Sequence, residues 1–418
     1  MTRGELPPGV ADFFFTAAEQ KLALEATLRE LFARWGYRPV IPPTFEYADT
    51  LASVAGVRLA EEMYRFFDRD GRALALRPDL TIPTARIAGV KLYDQPLPLR
   101  FAYVGSVFRY EEPRAGQRRE FTQAGVELIG APGAPADAEV IALLAAALQS
   151  AGLPTFRITL GQIGFFHALL AILHLSPEAA DRLSVALDRK SQAGVEAVLA
   201  EWDGDERARQ LVAILPTLVG GPAVLDEPAA LAWNSEMMTA VENLRQTWEW
   251  LKRYGVADHI TIDLGQVRGM AYYTGVVFEA FAPGVGFPIA SGGRYDGLIG
   301  HFGPDRPAVG FALTVDRLLI ALNHQSGSVV SSPMAAVFQG CEHTACLELV
   351  QRARALGACV ALDVLSRPVE ELLAYARSQG IQRVVLCEGP GRLRLLTDES
   401  SRLIDPGEWE SEVRTWIS

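Results

Sequence analysis

Phe108-Arg109-Tyr110-Glu111, answered after a polar stretch by Arg119-Glu120-Phe121-Thr122-Gln123 and then Glu127, is the part of the chain on which the fold turns. Two extended runs, Arg100 to Glu111 and Arg119 to Ile129, flank the polar loop Glu112 to Arg118 and read as one long antiparallel hairpin. A hairpin serving only a core has no use for this arginine, glutamine and glutamate, so its polar face points to a binding site. Three more segments carry polar groups of the same kind: Arg77-Pro78-Asp79-Leu80-Thr81, Arg268-Gly269-Met270-Ala271-Tyr272-Tyr273-Thr274-Gly275, and Ser291-Gly292-Gly293-Arg294-Tyr295-Asp296-Gly297.

Upstream, Leu24, Leu28, Leu31, Phe32 and Trp35 recur at helical spacing. Thr16 with Glu19 has the form of a capping box, and Gly36 suits the C-terminal cap. Tyr37 to Phe45 is extended and holds Pro39, Pro42 and Pro43, which lack amide donors and suit a sheet edge or an interface. Met63 to Asp68 and Arg72 to Leu76 flank Asp70-Gly71 and predict a second hairpin. Downstream, Asp137 to Gln149 predicts a helix, and helical composition from about 176 to 255 predicts a helical insertion. Strands resume at Ile260 to Leu264 and Tyr272 to Phe281. His324 to Pro333 reads as a linker, after which strand and helix alternate as in a small α/β domain with a mainly parallel sheet. The expected division is 1–325 and 334–418.

With 418 residues, 49% of them hydrophobic and 21% charged, the chain can bury a large core. No secretory leader is recognisable at Met1 to Phe15, and the apolar run Val140 to Leu148 is far short of the roughly 20 residues that span a bilayer. A cytoplasmic protein without membrane association is expected. Cys341, Cys346, Cys359 and Cys387 match neither a CxxC pair nor a zinc ribbon, and read as buried free thiols in a reducing compartment. His167, His174 and His301 show no HExxH spacing, so no metal and no cofactor is expected. A net charge of -11 disfavours non-specific binding to nucleic acid.

The Phe108 to Glu127 segment resembles motif 2 of the class II aminoacyl-tRNA synthetases, and Gly310-Phe311-Ala312 through Asp316-Arg317 resembles motif 3. The Tyr272-Tyr273-Thr274-Gly275 and Gly292-Gly293-Arg294-Tyr295-Asp296-Gly297 segments resemble the histidine-specific motifs of histidyl-tRNA synthetase, and the likeness reaches to about residue 322. It implies an α+β fold: a six- or seven-stranded antiparallel sheet flanked by helices. It also implies a pocket for free histidine, in which Arg268 pairs the carboxylate, Asp79, Thr81 and Gln123 the ammonium, and Glu127 with Tyr273 the ring. Arg109 and Tyr272 complete that set, and Gly292 and Gly293 would let backbone approach the ligand. Plainer readings stand beside these. Asp79 and Thr81 also make a helix cap, Glu127 a structural ion pair, and Arg109 and Arg317 structural cations. Alternation along a strand would let only one of Tyr272 and Tyr273 reach a ligand, and Tyr273 is taken as that one.

Several positions depart from the synthetase pattern. Asp79 replaces a glutamate, which withdraws the carboxylate by roughly 1.5 Å. Glu112 and Gln117 stand where the family has arginines, Ala271 where it has aspartate, and Asp316 where it has glutamate. A triphosphate and an acceptor stem both require cations at 112 and 117, so these changes argue against adenylation. From Ala335 onward there are 9 Arg, no Lys and 12 acidic residues, an unsuitable surface for a tRNA anticodon arm, and this part looks like a degenerate anticodon-binding domain. The whole pattern resembles the synthetase's paralogue family, the regulatory subunits of ATP phosphoribosyltransferase. That resemblance implies a non-catalytic homodimer, paired through the first helix and the proline-containing strand, in a heteromultimer with a short catalytic subunit. It implies histidine biosynthesis as the setting, L-histidine as feedback effector in this pocket or at an intersubunit site, and no tRNA. No phosphoribosyl-pyrophosphate loop occurs in the sequence, so the chemistry is expected in trans. An active histidyl-tRNA synthetase is the alternative.

Overall fold

The structure, a computed structural model, describes residues 4–112, 117–232, 234–267, 272–326, 334–390, 392–405 and 407–417. The chain divides into two compact units, Met1–Gly327 and Ser328–Ser418. The first unit begins α1 (Phe15–Arg34), β1 (Arg38–Pro39), β2 (Phe45–Tyr47), α2 (Ala48–Glu61), β3 (Arg65–Phe67), β4 (Ala73–Leu76) and α3 (Thr81–Lys91). It continues β5 (Leu99–Phe108), β6 (Glu120–Ile129), α4 (Ala134–Ser150) and β7 (Arg157–Gln162). Six helices follow: α5 (Ile163–Leu173), α6 (Pro177–Asp188), α7 (Gln192–Ala200), α8 (Glu206–Ile214), α9 (Asp226–Leu231) and α10 (Ser235–Arg253), with the short β8 (Val219–Gly220) among them. The unit closes with β9 (Ile260–Asp263), β10 (Val276–Phe281), β11 (Ala290–Arg294), β12 (Ala308–Thr314) and α11 (Val315–Ser326).

Among the described residues these strands form a nine-stranded sheet in the order β1-β5-β6-β12-β11-β10-β7-β9-β8. Its six central strands pair antiparallel, as expected from the hairpin of β5 and β6, which holds register from Leu99↔Ile129 to Phe108↔Glu120. Two pairings are parallel instead, β1 with β5 and β7 with β9. Parallel neighbours need a crossover, and the α5 to α10 segment supplies it between β7 and β9. The sheet is wider than expected because β1 and β8 are two-residue edge strands, too short to register as apolar alternation. Pro39 sits in β1 at the sheet's edge, where its missing N–H leaves no ladder gap.

Alternation of side chains sorts the central strands into a core face and a site face. Ala124, Val126 and Leu128 of β6, with Val309, Phe311 and Leu313 of β12, are buried in one core with Leu24, Leu28, Leu31 and Phe32 of α1. Helix α4 buries residues all round, as a fully enclosed helix must. Three local expectations change. The Thr16–Glu19 capping box is not made, since α1 starts two residues earlier than that box requires, at Phe15 behind Phe14, with no side-chain cap. Gly36, at φ +81°, does close the helix, donating to Ala33 O at 3.0 Å. The expected linker also starts too early, because α11 runs through His324 to Ser326; positions 327–333 lie outside the described residues. The hairpin around Asp70-Gly71 forms as β3 and β4, with β2 as third strand.

The second unit contains β13 (Ala336–Phe338), α12 (Thr344–Ala355), β14 (Val360–Leu362), α13 (Val369–Ser378), β15 (Val384–Gly389), β16 (Arg392–Leu396), β17 (Ser401–Ile404) and α14 (Trp409–Ile417). Its strand order is β14-β13-β15-β16-β17. The alternating strands and helices give the parallel half, β14-β13-β15, while β16 and β17 add an antiparallel half. Trp409 is fully buried here, its indole N–H donating to Leu349 O at 2.9 Å. No helix among the described residues is long and apolar enough to cross a membrane.

Candidate functional site

The site face of the central sheet is built by register. Gln123, Gly125 and Glu127 of β6 stand opposite Thr314, Ala312 and Gly310 of β12, so their side chains share one face. Tyr103 of β5 lies opposite Gly125. A Cβ at Gly125 would fall 2.7 Å from the Tyr103 ring, so the glycine lets that ring cross β6. Tyr103 then donates its hydroxyl to Glu127 Oε1 at 3.0 Å, and Tyr295, just beyond β11, donates to Oε2. Glu127 is 1% exposed, and burial lifts its carboxyl to about 7 although both tyrosine hydroxyls favour the ionised form.

A cavity of about 70 Å³ opens on this face. Seven of the expected residues line it: Asp79, Thr81, Arg109, Gln123, Glu127, Tyr272 and Tyr273. Arg268 lies outside the described residues, as does the Ala271 departure. Asp79 stands where α3 begins, and its Oδ1 accepts from Ile82 N at 3.1 Å, as a helix-capping residue would. Its Oδ2 is buried without a hydrogen-bond partner among the described residues. Burial raises this carboxyl to about 6, against the opposing pull of the Ile82 amide and the Arg109 charge. The Gln123 carboxamide oxygen accepts from Leu80 N at 3.2 Å, and Arg109 Nε donates to Pro78 O at 2.8 Å. Hairpin and α3 are thereby locked together beside Asp79.

Some positions differ from expectation. Tyr272 and Tyr273 precede β10 rather than forming part of it; strand alternation does not apply, and both rings line the cavity, edge to face at 5.2 Å. Glu127 pairs with hydroxyls and with no cation among the described residues. Gly292 is on the core face, where a Cβ would meet the Phe278 ring at 2.4 Å, and Gly293 is approached by the Tyr273 ring. Both glycines make room for protein rings, and Gly292 also lines the larger neighbouring cavity. Tyr103 and Tyr295 were not among the candidates, although Tyr295 lies inside the Gly292 to Gly297 segment already singled out. Arg294 supports it from below, with Nη2 2.6 Å from the wholly buried Asp137.

A second cavity, of about 650 Å³, adjoins the first and shares Arg109, Tyr273, Pro288, Ser291 and Arg317 with it. Its charged lining comprises Arg58, Arg109 and Arg317 against Glu62, Glu111, Asp188 and Glu279, with Gln117 also present. Arg58 Nε lies 2.9 Å from Glu62, and Arg109 Nη1 4.0 Å from Glu111, so two of these cations face acids of the same wall. Asp316 stands apart from both cavities' polar centre, taking Lys21 Nζ at 3.1 Å and the Thr122 amide at 2.8 Å.

The cysteines depart most from expectation. Only Cys346 is buried; Cys387 is half-buried, and Cys341 and Cys359 are exposed. Cys341, His343, Cys346 and Cys387 gather in one place, which the sequence reading missed. The available signal was Cys341-x-His343-x-x-Cys346; Cys387 comes from another strand.

An antiparallel sheet carrying a motif 2 hairpin, a motif 3 strand and helix, and a small polar cavity between them defines a class II aminoacyl-tRNA synthetase-like protein. The sequence model of the histidyl-tRNA synthetase family matches residues 9–318. An ATP phosphoribosyltransferase regulatory subunit from Syntrophotalea carbinolica is 39% identical over 96% of this chain and 94% of its own length. Another so named, from Moorella thermoacetica, is 41% identical over 90% of this chain and 96% of its own. The solved structure of an ATP phosphoribosyltransferase regulatory subunit/histidyl-tRNA synthetase from Bacillus halodurans C superimposes with TM-score 0.82 at 33% identity, covering 92% of this chain and 98% of that one. The chain belongs to the family of ATP phosphoribosyltransferase regulatory subunits, within the histidyl-tRNA synthetase family.

Proposed function

We propose that this chain performs no catalysis of its own and regulates a separate, short catalytic ATP phosphoribosyltransferase in histidine biosynthesis, reading free L-histidine in the smaller cavity. The observation that carries the histidine reading is Asp79 Oδ2, buried without a hydrogen-bond partner among the described residues. A buried carboxylate oxygen without a partner is costly, and an α-ammonium group placed against it removes that cost. Glu127, held between two tyrosine hydroxyls, presents a hydrogen-bonding group of the kind an imidazole requires. Arg268, with its guanidinium fork, is the proposed carboxylate partner.

The lack of adenylation rests on the larger cavity. A triphosphate needs an excess of cations, and among the described residues the walls offer three arginines against four acids, with a neutral amide at Gln117. The acidic balance of the second unit supports the absence of tRNA binding and a degenerate anticodon-binding origin for residues 334–418. Dimer formation through α1 and the segment around β1 is supported by exposed apolar side chains there, among them Ile41 at 90% and Leu22 at 65%. A cytoplasmic setting fits this assembly.

Titration calorimetry with L-histidine tests the pocket: Arg268→Ala and Asp79→Ala should weaken binding at least tenfold, and unchanged affinity in both would remove the pocket from the account. Co-expression with a short catalytic subunit tests the regulatory role, with activity depending on this chain and responding to added histidine. The second reading, an active histidyl-tRNA synthetase, draws on Arg109, Glu111 and Arg317, which line the larger cavity in the motif 2 and motif 3 positions. Histidine-dependent exchange between ATP and pyrophosphate separates the two, and robust exchange by the pure chain would establish the synthetase.

A further inference from the structure

The second unit carries a donor set that the regulatory role does not use. Cys341, His343, Cys346 and Cys387 place one ligand atom each within 4.8 Å of one another. The Cys346 and Cys387 sulfurs are 3.1 Å apart, and Cys387 Sγ is 3.4 Å from His343 Nδ1. A tetrahedral zinc with Zn–S of about 2.3 Å and Zn–N of about 2.0 Å holds its ligand atoms roughly 3.5–3.8 Å apart. Small side-chain adjustments therefore suffice, and no backbone rearrangement is needed.

The placement in the fold is independent of that geometry. Strands β13 and β15 run parallel as neighbours, but β14 lies on the far side of β13, so the connection from β13 to β14 and that from β14 to β15 run in opposite directions across the sheet. The crevice beyond the carboxyl ends of two such strands is where open α/β sheets bind ligands. Cys341 and His343 lie in the turn that leaves β13, Cys346 in the first turn of α12, and Cys387 near the end of β15. The N-terminus of α12 favours thiolate over thiol. Phe338, Leu347, Val350 and Leu393 line the same cavity and give the cluster an apolar wall.

We propose that Cys341, His343, Cys346 and Cys387 form a Cys3His site for one soft divalent cation of the zinc class. With four protein ligands the coordination is closed, so the ion is structural: it ties the β13 turn and the start of α12 to β15. Binding displaces the three thiol protons to solvent, which makes loading weaker as pH falls.

The test uses the full-length, untagged chain prepared under reductant with zinc chloride and then passed through metal-free buffer. Stoichiometric zinc by elemental analysis is expected. Replacement by cobalt(II) chloride should give the intense visible bands of a tetrahedral thiolate site. Cys341→Ser and His343→Ala alter exposed turn residues and should each weaken zinc retention at least tenfold, with circular dichroism unchanged. Cys359→Ser, outside the cluster, should retain the full complement. The proposal is overturned by zinc no higher than the buffer blank with all thiols free to titrate, by a Cys346–Cys387 disulfide in chain alkylated at lysis, or by undiminished zinc retention in both turn variants.

Discussion

Glu127 and Tyr295 meet across a strand that has no side chain between them: the Tyr295 hydroxyl donates to Glu127 Oε2 over Gly310 of β12. A Cβ at Gly310 would lie 1.8 Å from that same oxygen. The carboxylate's position, and with it the floor of the smaller cavity, depends on this one missing methyl group. Gly310→Ala should therefore displace Glu127, costing about 1–3 kcal/mol of stability and at least tenfold in histidine affinity. Calorimetry and thermal melting read the two effects, and wild-type affinity in the variant would show that Glu127 is not held against the ligand.

Glu127 also gives a signed pH dependence. Its folded-state value is raised to about 7 from an ordinary 4.5, and that of Asp79 to about 6 from 3.8. Both groups therefore favour the folded state only while protonated. Their contribution is complete below pH 4 and is lost as pH rises through 6 and 7. Glu127→Gln mimics the protonated acid, so in the absence of ligand it should match wild type near pH 4.5 and exceed it by roughly 3 kcal/mol at pH 8. Urea denaturation at the two pH values measures this; a variant destabilised equally at both would contradict it.

Arg294 and Asp137 form a buried pair whose loss should propagate to the site. Asp137 is 0% exposed, and its Oδ2 is also 3.4 Å from the Asn243 amide. Asp137→Ala leaves the buried arginine with only the half-exposed Asp296, 3.0 Å from its Nη1, as counter-charge, at a cost of about 3 kcal/mol. Chemical denaturation should show this loss, whereas Arg29→Ala, on a half-exposed pair with Glu25, should stay within about 0.5 kcal/mol of wild type.

Charge in the larger cavity predicts a change in nucleotide binding. Gln117→Arg adds a cation to a wall with a negative balance, so ATP affinity should rise at least threefold and the gain should shrink with added salt. Equilibrium binding of ATP at low and high ionic strength reads it. A salt-independent gain, or none, would place the triphosphate elsewhere.

Much of the fold was legible in local pattern. The β5–β6 hairpin, α4, the Asp70-Gly71 turn and the first strands and helices of the second unit announce themselves through apolar periodicity and turn residues within short windows. Seven candidate site residues, from Asp79 to Tyr273, line one cavity because their segments carry polar groups that a core would reject. Short edge strands escaped, since two residues carry no period. The Thr16 cap failed for the opposite reason: the local pattern is present, but the helix begins ahead of it, at Phe15 behind Phe14, so Thr16 lies inside the first turn.

What sequence by itself determined is the chemistry on offer: which side chains can hold a zwitterion, which positions have given up their cations, and which segments extend or coil. Tertiary structure alone decided who meets whom. Register puts Tyr103 over Gly125 and Gly310 against Glu127, and a strand order that reverses direction at β13 brings Cys387 to Cys341. Such meetings join residues far apart along the chain, and pairing between distant strands depends on burying whole faces together, which no short window of residues contains.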